Sequence, residues 1–102
     1  SISDYVRLPD YVRIRLLLWD DSKCELYFEN PVAVYECMVG ELDQIQLDDC
    51  PSGLLATEAA LQLSGDSERP AKVCEFDILD IDGRVSMRIV CEPETKVIAR
   101  RV

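Results

Sequence analysis

The acidic side chains between residues 41 and 49 form the densest group in the sequence that is able to carry chemistry. Four carboxylates occur in this short stretch: Glu41, Asp43, Asp48 and Asp49. Carboxylate oxygens bind hard cations, and paired carboxylates serve hydrolases as acid and base. The same groups receive Arg and Lys side chains from a protein partner, and many acids on protein surfaces are simply solvated. Solvation, recognition and catalysis are therefore the three roles open to this group.

Most other catalytic chemistry is excluded by what the sequence lacks. There is no histidine, which removes the Ser-His and Cys-His pairs and the usual zinc ligand. No nucleotide-binding glycine loop and no Gly-x-Ser-x-Gly motif is present. Asp80-Ile81-Asp82-Gly83 resembles part of a calcium loop, but the loop's twelfth-position Glu is missing, so we interpret it as a hairpin turn. We predict no catalytic residue, no bound metal and no cofactor, and hence no enzyme.

The distribution of charge points to a protein partner. The net charge is −9, and residues 20–68 hold twelve acids against one base, Lys23. Phosphate contacts need Lys and Arg, so we expect no nucleic acid to bind this segment. An acidic surface is suited to steering a basic protein partner, and it also keeps a small protein soluble. No apolar run approaches the length of a membrane span, and we expect no membrane partner.

The segment from Val73 to Cys91 is the clearest structural element. Two β-rich runs flank Asp82-Gly83, the signature of a two-residue type I′ turn. That turn pairs Phe76 with Ile89 and Cys74 with Cys91 on one face. The other face would hold an Asp77–Arg88 charge pair and would set Leu79 opposite Ser86. The sequence thus predicts an antiparallel hairpin with one apolar side.

A second hairpin is predicted from residues 11–29. Alternation over 11–19 and 24–29 indicates two strands, and two registers are open. One register places Leu16 opposite Tyr27 and Leu18 opposite Glu25, which mixes polar and apolar residues. The other places Leu18 opposite Leu26, Leu16 opposite Phe28 and Arg15 opposite Glu29, and we prefer it because it sorts the faces. Trp19 would then lie on the polar side.

The remaining elements complete a single domain, residues 1–102, of α+β (mainly β) class. Residues 1–10 are interpreted as an approach segment. Residues 32–39 predict a strand, with a short helix as the alternative, and residues 42–47 and 95–102 predict further strands. Leu54 to Ser64 predicts a well-buried helix, capped by Ser52 or Asp49 and stopped by Gly65. We therefore expect one antiparallel sheet of about six or seven strands with one helix.

The cysteines favour a cytoplasmic protein with free thiols. An odd number of cysteines with scattered spacing and no visible leader is typical of a reducing compartment, although a leader removed before Ser1 stays open. A cross-strand disulfide between Cys74 and Cys91 is the alternative, since the hairpin register sets them opposite one another. Five cysteines are present: Cys24, Cys37, Cys50, Cys74 and Cys91.

The order of the segments Val12–Asp21, Cys24–Glu29 and Cys74–Cys91 resembles the layout of small β-rich immunity proteins. These proteins accompany bacterial polymorphic toxins and neutralise them by binding, often through acidic surfaces. The resemblance implies a non-enzymatic, acidic binding protein that occludes a basic partner, such as a toxin. An alternative is a structural or accessory subunit that forms a homodimer through its sheet. Seven residues are the predicted partner-binding set: Trp19, Glu25, Glu29, Glu41, Asp43, Asp48 and Asp49.

Overall fold

The computed structural model describes residues 2–18, 20–36, 42–66 and 68–101, and the side chains of residues 2, 3, 42 and 43 lie outside that description. The elements in chain order are β1 (Ile2–Arg7), β2 (Tyr11–Leu17), β3 (Lys23–Glu29), β4 (Pro31–Glu36), β5 (Leu42–Asp48), α1 (Leu54–Ser64), β6 (Cys74–Asp80), β7 (Val85–Cys91) and β8 (Val97–Arg101). Sheet A has the strand order β1-β2-β3-β8, and sheet B has the order β4-β7-β6-β5. All strand pairs within the two sheets are antiparallel.

The mainly β, α+β class is confirmed, but the prediction of one sheet of six or seven strands is wrong. The described residues form two sheets of four strands each. One missed strand is β1, which lies in the segment that we interpreted as an approach to the fold. Strands β2, β3, β6 and β7 each have one strongly apolar face. Two sheets bury these faces against each other, whereas a single sheet with one short helix would leave much of them in water.

The core lies between the two sheets. Sheet A contributes Val12, Ile14, Leu26 and Phe28, and the facing strands of sheet B contribute their own alternate residues. Phe28 meets Phe76 edge to face, with ring centroids 5.1 Å apart and an interplanar angle of 63°. The sheet B residues in this core are Cys74, Phe76, Ile78, Met87, Ile89 and Cys91. Each strand therefore turns its other set of side chains to an outer face of the sandwich.

Helix α1 packs on the outer face of sheet B, and its bounds agree with the prediction. The buried helix residues at its contact with the sheet are Ala56, Ala59 and Ala60, with Leu55 partly buried beside them. The prediction of a well-buried helix is wrong, because Leu54 is 76% exposed. The N-cap is Gly53, without a side-chain cap, and not Ser52 or Asp49. Small residues let the helix backbone approach the sheet closely, which explains why alanine forms this contact.

The β6–β7 hairpin confirms most of the predicted register and corrects its turn. Cys74 faces Cys91, Phe76 faces Ile89, and Asp77 faces Arg88, but a bulge sets Leu79 opposite Val85. The type I′ turn is wrong because only Gly83 of the Asp-Gly pair has a positive φ, at 79°. Asp80 decides the turn: its carboxylate accepts hydrogen bonds from the backbone N–H groups of residues 82 and 84, which favours a longer loop with glycine in the left-handed position.

The preferred β2–β3 register is also wrong, although it places the correct residues of each strand on the apolar face. Phe28 faces Val12 and Leu26 faces Ile14, while Arg15 faces Glu25 instead of Glu29. The turn sets this shift, because the Leu18 N–H donates to the Ser22 carbonyl and ends the hairpin earlier than we predicted. Trp19 lies outside the described residues.

Two other predictions concern residues 32–39 and the cysteines. The part of residues 32–39 that the structure describes is strand β4, so the helical alternative is wrong for Pro31–Glu36, and residues 37–39 lie outside the description. Cys74 and Cys91 face each other as free thiols, and Cys24 and Cys50 are also free. Among the described residues, no helix has the length and apolarity needed to cross a lipid bilayer.

Candidate functional site

The structure separates the predicted partner-binding residues. Glu25 and Glu29 belong to β3 of sheet A, whereas Asp48 closes β5 of sheet B and Asp49 follows it. By strand alternation Glu25 points away from the core on sheet A, and Asp48 does so on sheet B, beside Glu75. The two outer faces point in opposite directions. Trp19, Glu41 and the side chain of Asp43 lie outside the described residues, so their predicted roles stay predictions.

Glu25 is held by groups of its own sheet. It is 8% exposed, accepts a hydrogen bond from the Tyr27 hydroxyl, and its Oε1 lies 3.7 Å from the Arg15 Nε. The Tyr27 hydroxyl holds the pKa of Glu25 below its usual value, and Arg15, Arg13 and Arg100 lower it further against the effect of burial. This carboxylate is already compensated and offers little charge to a partner.

Around Glu25, the outer face of sheet A is a mixed surface of arginine and tyrosine. We call it the arginine face and define it by Arg13, Arg15, Glu25, Tyr27 and Arg100. The Arg100 guanidinium lies 5.4 Å from the centre of the Tyr27 ring, and Arg15 also pairs with Asp4 at 3.6 Å. Tyr11 packs against Tyr27 with ring centroids 5.7 Å apart. A groove of about 350 Å³ beside this face is lined by residues that include Asp10 and Glu29.

The outer face of sheet B has the opposite character. Glu75 is 7% exposed and lies in register between Asp48 on β5 and Val90 on β7. Asp77, the next residue along β6 on this face, pairs with Arg88 at 3.6 Å. Burial raises the pKa of Glu75 to about 7, and a hydrogen bond to Asp77 and the negative charge of Asp77 and Asp48 act in the same direction. Glu75 is thus poised between its protonated and ionised forms near neutral pH.

A groove of about 410 Å³ at the start of helix α1 lies beside Arg88, the partner of Asp77. It is lined by Arg88 and Glu58 together with Tyr35 and Leu54. Tyr35 is 49% exposed and Leu54 is 76% exposed, so apolar surface lies directly beside the charged pair. We define the acidic face by Asp48, Glu58, Glu75, Asp77 and Arg88.

The acidic face is suited chemically to receiving a cation from outside the chain. Asp77 pairs with Arg88, Glu58 lines the same groove as Arg88, and Asp48 lies opposite Glu75. The pKa of Glu75 is raised first by burial and then by Asp77 and Asp48. A guanidinium or ammonium group from a partner would compensate the pair and form charge-assisted hydrogen bonds. Within the described ranges, no group of three or more Cys, Asp or Glu side chains is positioned to hold a metal ion.

Glu75 was missed by the sequence analysis because its importance depends on residues far away in the chain. The Asp77–Arg88 pair was predicted from the hairpin register and is confirmed. The same register places Glu75 opposite an apolar residue, Val90. The sequence could therefore have indicated that Glu75 has no cation opposite it on strand β7. The approach of Asp48 on the other side required the β5–β6 pairing, which the sequence did not provide.

Comparison with known proteins adds no further constraint to this site. No protein-family model, no curated protein and no solved structure matches the chain.

Proposed function

We propose that the protein is a non-enzymatic, cytoplasmic binding protein that occludes a basic protein partner through the acidic face. The immunity proteins that the sequence resembles act in this way on toxins, and a basic toxin is the partner class that we propose. The four free thiols of the described chain agree with a reducing compartment. This proposal moves the binding surface from the predicted set of seven residues to Asp48, Glu58, Glu75, Asp77 and the apolar groove beside them.

The position of Glu75 is the observation that carries the proposal: it is buried, and it lies opposite Asp48 and two residues from Asp77 on the same face. A buried carboxyl that shares a hydrogen bond with a second carboxyl costs stability when both are ionised. The chain supplies one close cation, Arg88, to this pair, and its Nε lies 3.6 Å from Asp77 Oδ1, beyond the range of a good hydrogen bond. A partner's Arg or Lys would remove this repulsion, so part of the binding free energy would come from relieving it.

The groove beside Arg88 supports a protein partner rather than a free ion. Tyr35 and Leu54 present exposed apolar surface at its rim, and strong protein interfaces combine such an anchor with charged groups that become desolvated. A partner segment that places an apolar side chain against these residues would bring its cation over Asp77 and Glu75. The two contacts together would exclude water from the pair.

The test is capture of the partner from a lysate of the source cell, with wild-type protein and two charge variants. Asp48→Asn combined with Glu58→Gln removes two negative charges from the acidic face. Asp66→Asn combined with Glu68→Gln removes the same charge from the exposed segment after helix α1, and Asp66, like Asp48, accepts a backbone hydrogen bond. We expect the first variant to bind a purified basic partner roughly tenfold more weakly, which corresponds to about 1.4 kcal/mol, and the second to bind like wild type.

Salt and pH provide the discriminating readouts. Binding should weaken as ionic strength rises, because screening reduces interactions between exposed charges. It should strengthen as pH rises through about 7, because Glu75 must be ionised to receive a cation. A partner that is retained equally at low and high salt, or lost equally by the two variants, would reject the acidic face as the binding surface.

The arginine face favours a second function, that of an accessory subunit that forms a homodimer through sheet A. Tyr and Arg are the residues most often found at interface centres, and Tyr11, Tyr27 and Arg100 contact one another on this sheet. Arg15 on this face is paired with both Asp4 and Glu25, which offsets part of the positive charge that two copies would bring together. Light scattering at two protein concentrations separates the functions: a mass that doubles at the higher concentration supports the dimer.

A further inference from the structure

Strand β5 lies at one edge of sheet B and pairs with β6. Ile45 and Leu47 stand in register with the core residues Ile78 and Phe76, yet Ile45 is 40% exposed and Leu47 is 55% exposed. Their position in the register directs them to the core side, and their exposure shows that sheet A does not cover this edge. The edge therefore offers two apolar side chains at alternate positions beside a row of backbone groups that sheet B does not use.

Edge strands β4 and β8 carry features that discourage the addition of a strand. Strand β4 starts with Pro31 and has an irregular register there, and β8 ends in Arg100 and Arg101. The register of β5 with β6 also shifts, between Leu42 and Gln44, but from residue 44 to residue 48 it is regular, and this part of β5 contains no proline, lysine or arginine. Proline, cationic side chains and bulges are the usual protection of sheet edges. Over these five residues the described structure leaves β5 without that protection.

The charge around β5 determines which strand fits it. Asp48 and Asp49 lie at its end, and Glu75 and Asp77 lie on the next strand, on the same outer face as Gln46 and Asp48. A second copy that paired through its own β5 would add a strand without Lys or Arg between residues 44 and 48, so it would bring no cation to these carboxylates. An incoming strand with Arg or Lys on its outer side would instead pair with them.

We propose that β5 binds an extended segment of the partner as an additional strand of sheet B, with apolar and basic residues alternating along that segment. Its apolar side chains cover Ile45 and Leu47, and its basic side chains reach Asp48, Glu75 and Asp77 on the opposite side of the ribbon. Main-chain hydrogen bonds supply affinity and the alternating side chains supply specificity, as in other cases of strand addition. This inference rests on the proposed function, because it specifies how the basic partner engages the acidic face.

The probe is an eight-residue peptide of alternating Val and Arg with blocked ends, added to the full chain at low salt. Its affinity is measured by calorimetry, and the hydrogen exchange of individual backbone amides is followed by NMR. We expect exchange at the outward-facing amides of residues 44–48 to slow at least tenfold when the peptide saturates the protein. A basic peptide held only by side-chain contacts would leave these amides exchanging as in the free protein.

Two matched variants test the apolar half of the proposal. Ile45→Thr combined with Leu47→Thr keeps β-forming residues on β5 but removes the apolar surface, and we expect about tenfold weaker peptide binding. The control combines Leu17→Thr with Ile81→Thr, whose side chains are 39% and 63% exposed on other parts of the chain, and it should bind within about twofold of wild type.

The outcomes separate the two proposals. Salt-dependent binding without protection of residues 44–48 would overturn strand addition and leave the acidic face as a binding surface. Absence of any peptide binding would overturn strand addition, whereas the acidic face would be rejected only by the capture experiment with the two charge variants. Protection of these amides in the free protein, accompanied by a dimeric mass, would show that a second copy occupies β5 and would also overturn the inference.

Discussion

Glu25 and Glu75 differ in charge state although they occupy equivalent positions in the two halves of the sandwich. Both lie on a middle strand of a four-stranded sheet and on its outer side, and their exposures are 8% and 7%. The pKa of Glu25 is lowered, chiefly because the Tyr27 hydroxyl donates to it. The pKa of Glu75 is raised to about 7, chiefly by burial and then by Asp77. Two carboxyl groups that are buried to the same extent therefore have pKa values shifted in opposite directions.

The difference arises from the strands on either side. Strand β3 lies between β2 and β8, and these place Arg15 and Arg100 directly opposite Glu25. Strand β6 lies between β5 and β7, and these place Asp48 and Val90 opposite Glu75. Strand order thus decides which buried acid is compensated within the chain. The uncompensated one marks the surface where a cation from another molecule would have the greatest effect.

The largest expected effect is a loss of stability when part of the core between the two sheets is removed, because this core supports the outer faces of both sheets. Phe28 is fully buried and touches Phe76 across the two sheets. We expect Phe28→Ala to lower the free energy of unfolding by about 3–5 kcal/mol, measured by urea denaturation with far-UV circular dichroism. Ile98→Ala, at a side chain 43% exposed, should change it by less than about 0.5 kcal/mol. A loss at Phe28 as small as that at Ile98 would show that the two sheets do not share a core.

A smaller effect is expected when Glu75 is replaced, and here the free energy of unfolding should rise instead of fall. Its pKa is about 7 in the folded chain against 4.5 for an unperturbed Glu, so the stability due to its bound proton is complete below pH 4.5 and is lost as pH rises through about 7. The shift sets an upper limit of about 3 kcal/mol, and we expect about 1 kcal/mol because the surrounding side chains relax and admit water when a buried group ionises. Glu75→Gln keeps a neutral side chain and should be more stable than wild type at pH 8.

The pH dependence of that variant provides its control. Denaturation at pH 5 and pH 8 should show a smaller decrease in stability for Glu75→Gln than for wild type, because the titrating group is gone. Glu58→Gln removes an exposed carboxylate from the same face and should keep the pH dependence of wild type. If Glu75→Gln were less stable than wild type at pH 8, the carboxylate would be compensated and the two faces would be alike.

The sequence predicted local features of the fold well. Alternation identified the strands of the β6–β7 hairpin and its Asp77–Arg88 pair, and the Ala- and Leu-rich segment closed by Gly65 gave the bounds of helix α1. These features depend on residues that are close in the chain. Strand β1 was missed because Ile2–Arg7 mixes polar and apolar residues without strict alternation.

Features that depend on distant residues or on turn hydrogen bonds were not predictable in this way. The predicted and observed β2–β3 registers both keep Leu26 and Phe28 on the apolar side, so the hydrophobic pattern does not distinguish them. The turn that does so is fixed by the bond between Leu18 and Ser22. The surroundings of Glu25 and Glu75 were not predictable for the same reason. Arg100 lies opposite Glu25 but comes from the other end of the chain, and Asp48 lies opposite Glu75 only because β5 pairs with β6.

The smallest expected effect is the loss of stability when Glu25 is replaced, and it tests the other member of the comparison with Glu75. Its lowered pKa means that ionised Glu25 stabilises the folded chain above pH 4.5, and this stability is lost as pH falls through the lower folded value. Glu25→Gln should therefore be less stable than wild type at neutral pH, and the difference should disappear in strong acid. The loss is small because the glutamine amide oxygen still accepts the Tyr27 hydrogen bond. Urea denaturation at both pH values measures it, with Glu29→Gln, exposed on the same strand, as the control. A gain of stability at neutral pH, as expected for Glu75→Gln, would mean that both buried acids lack compensation and that strand order does not separate the faces.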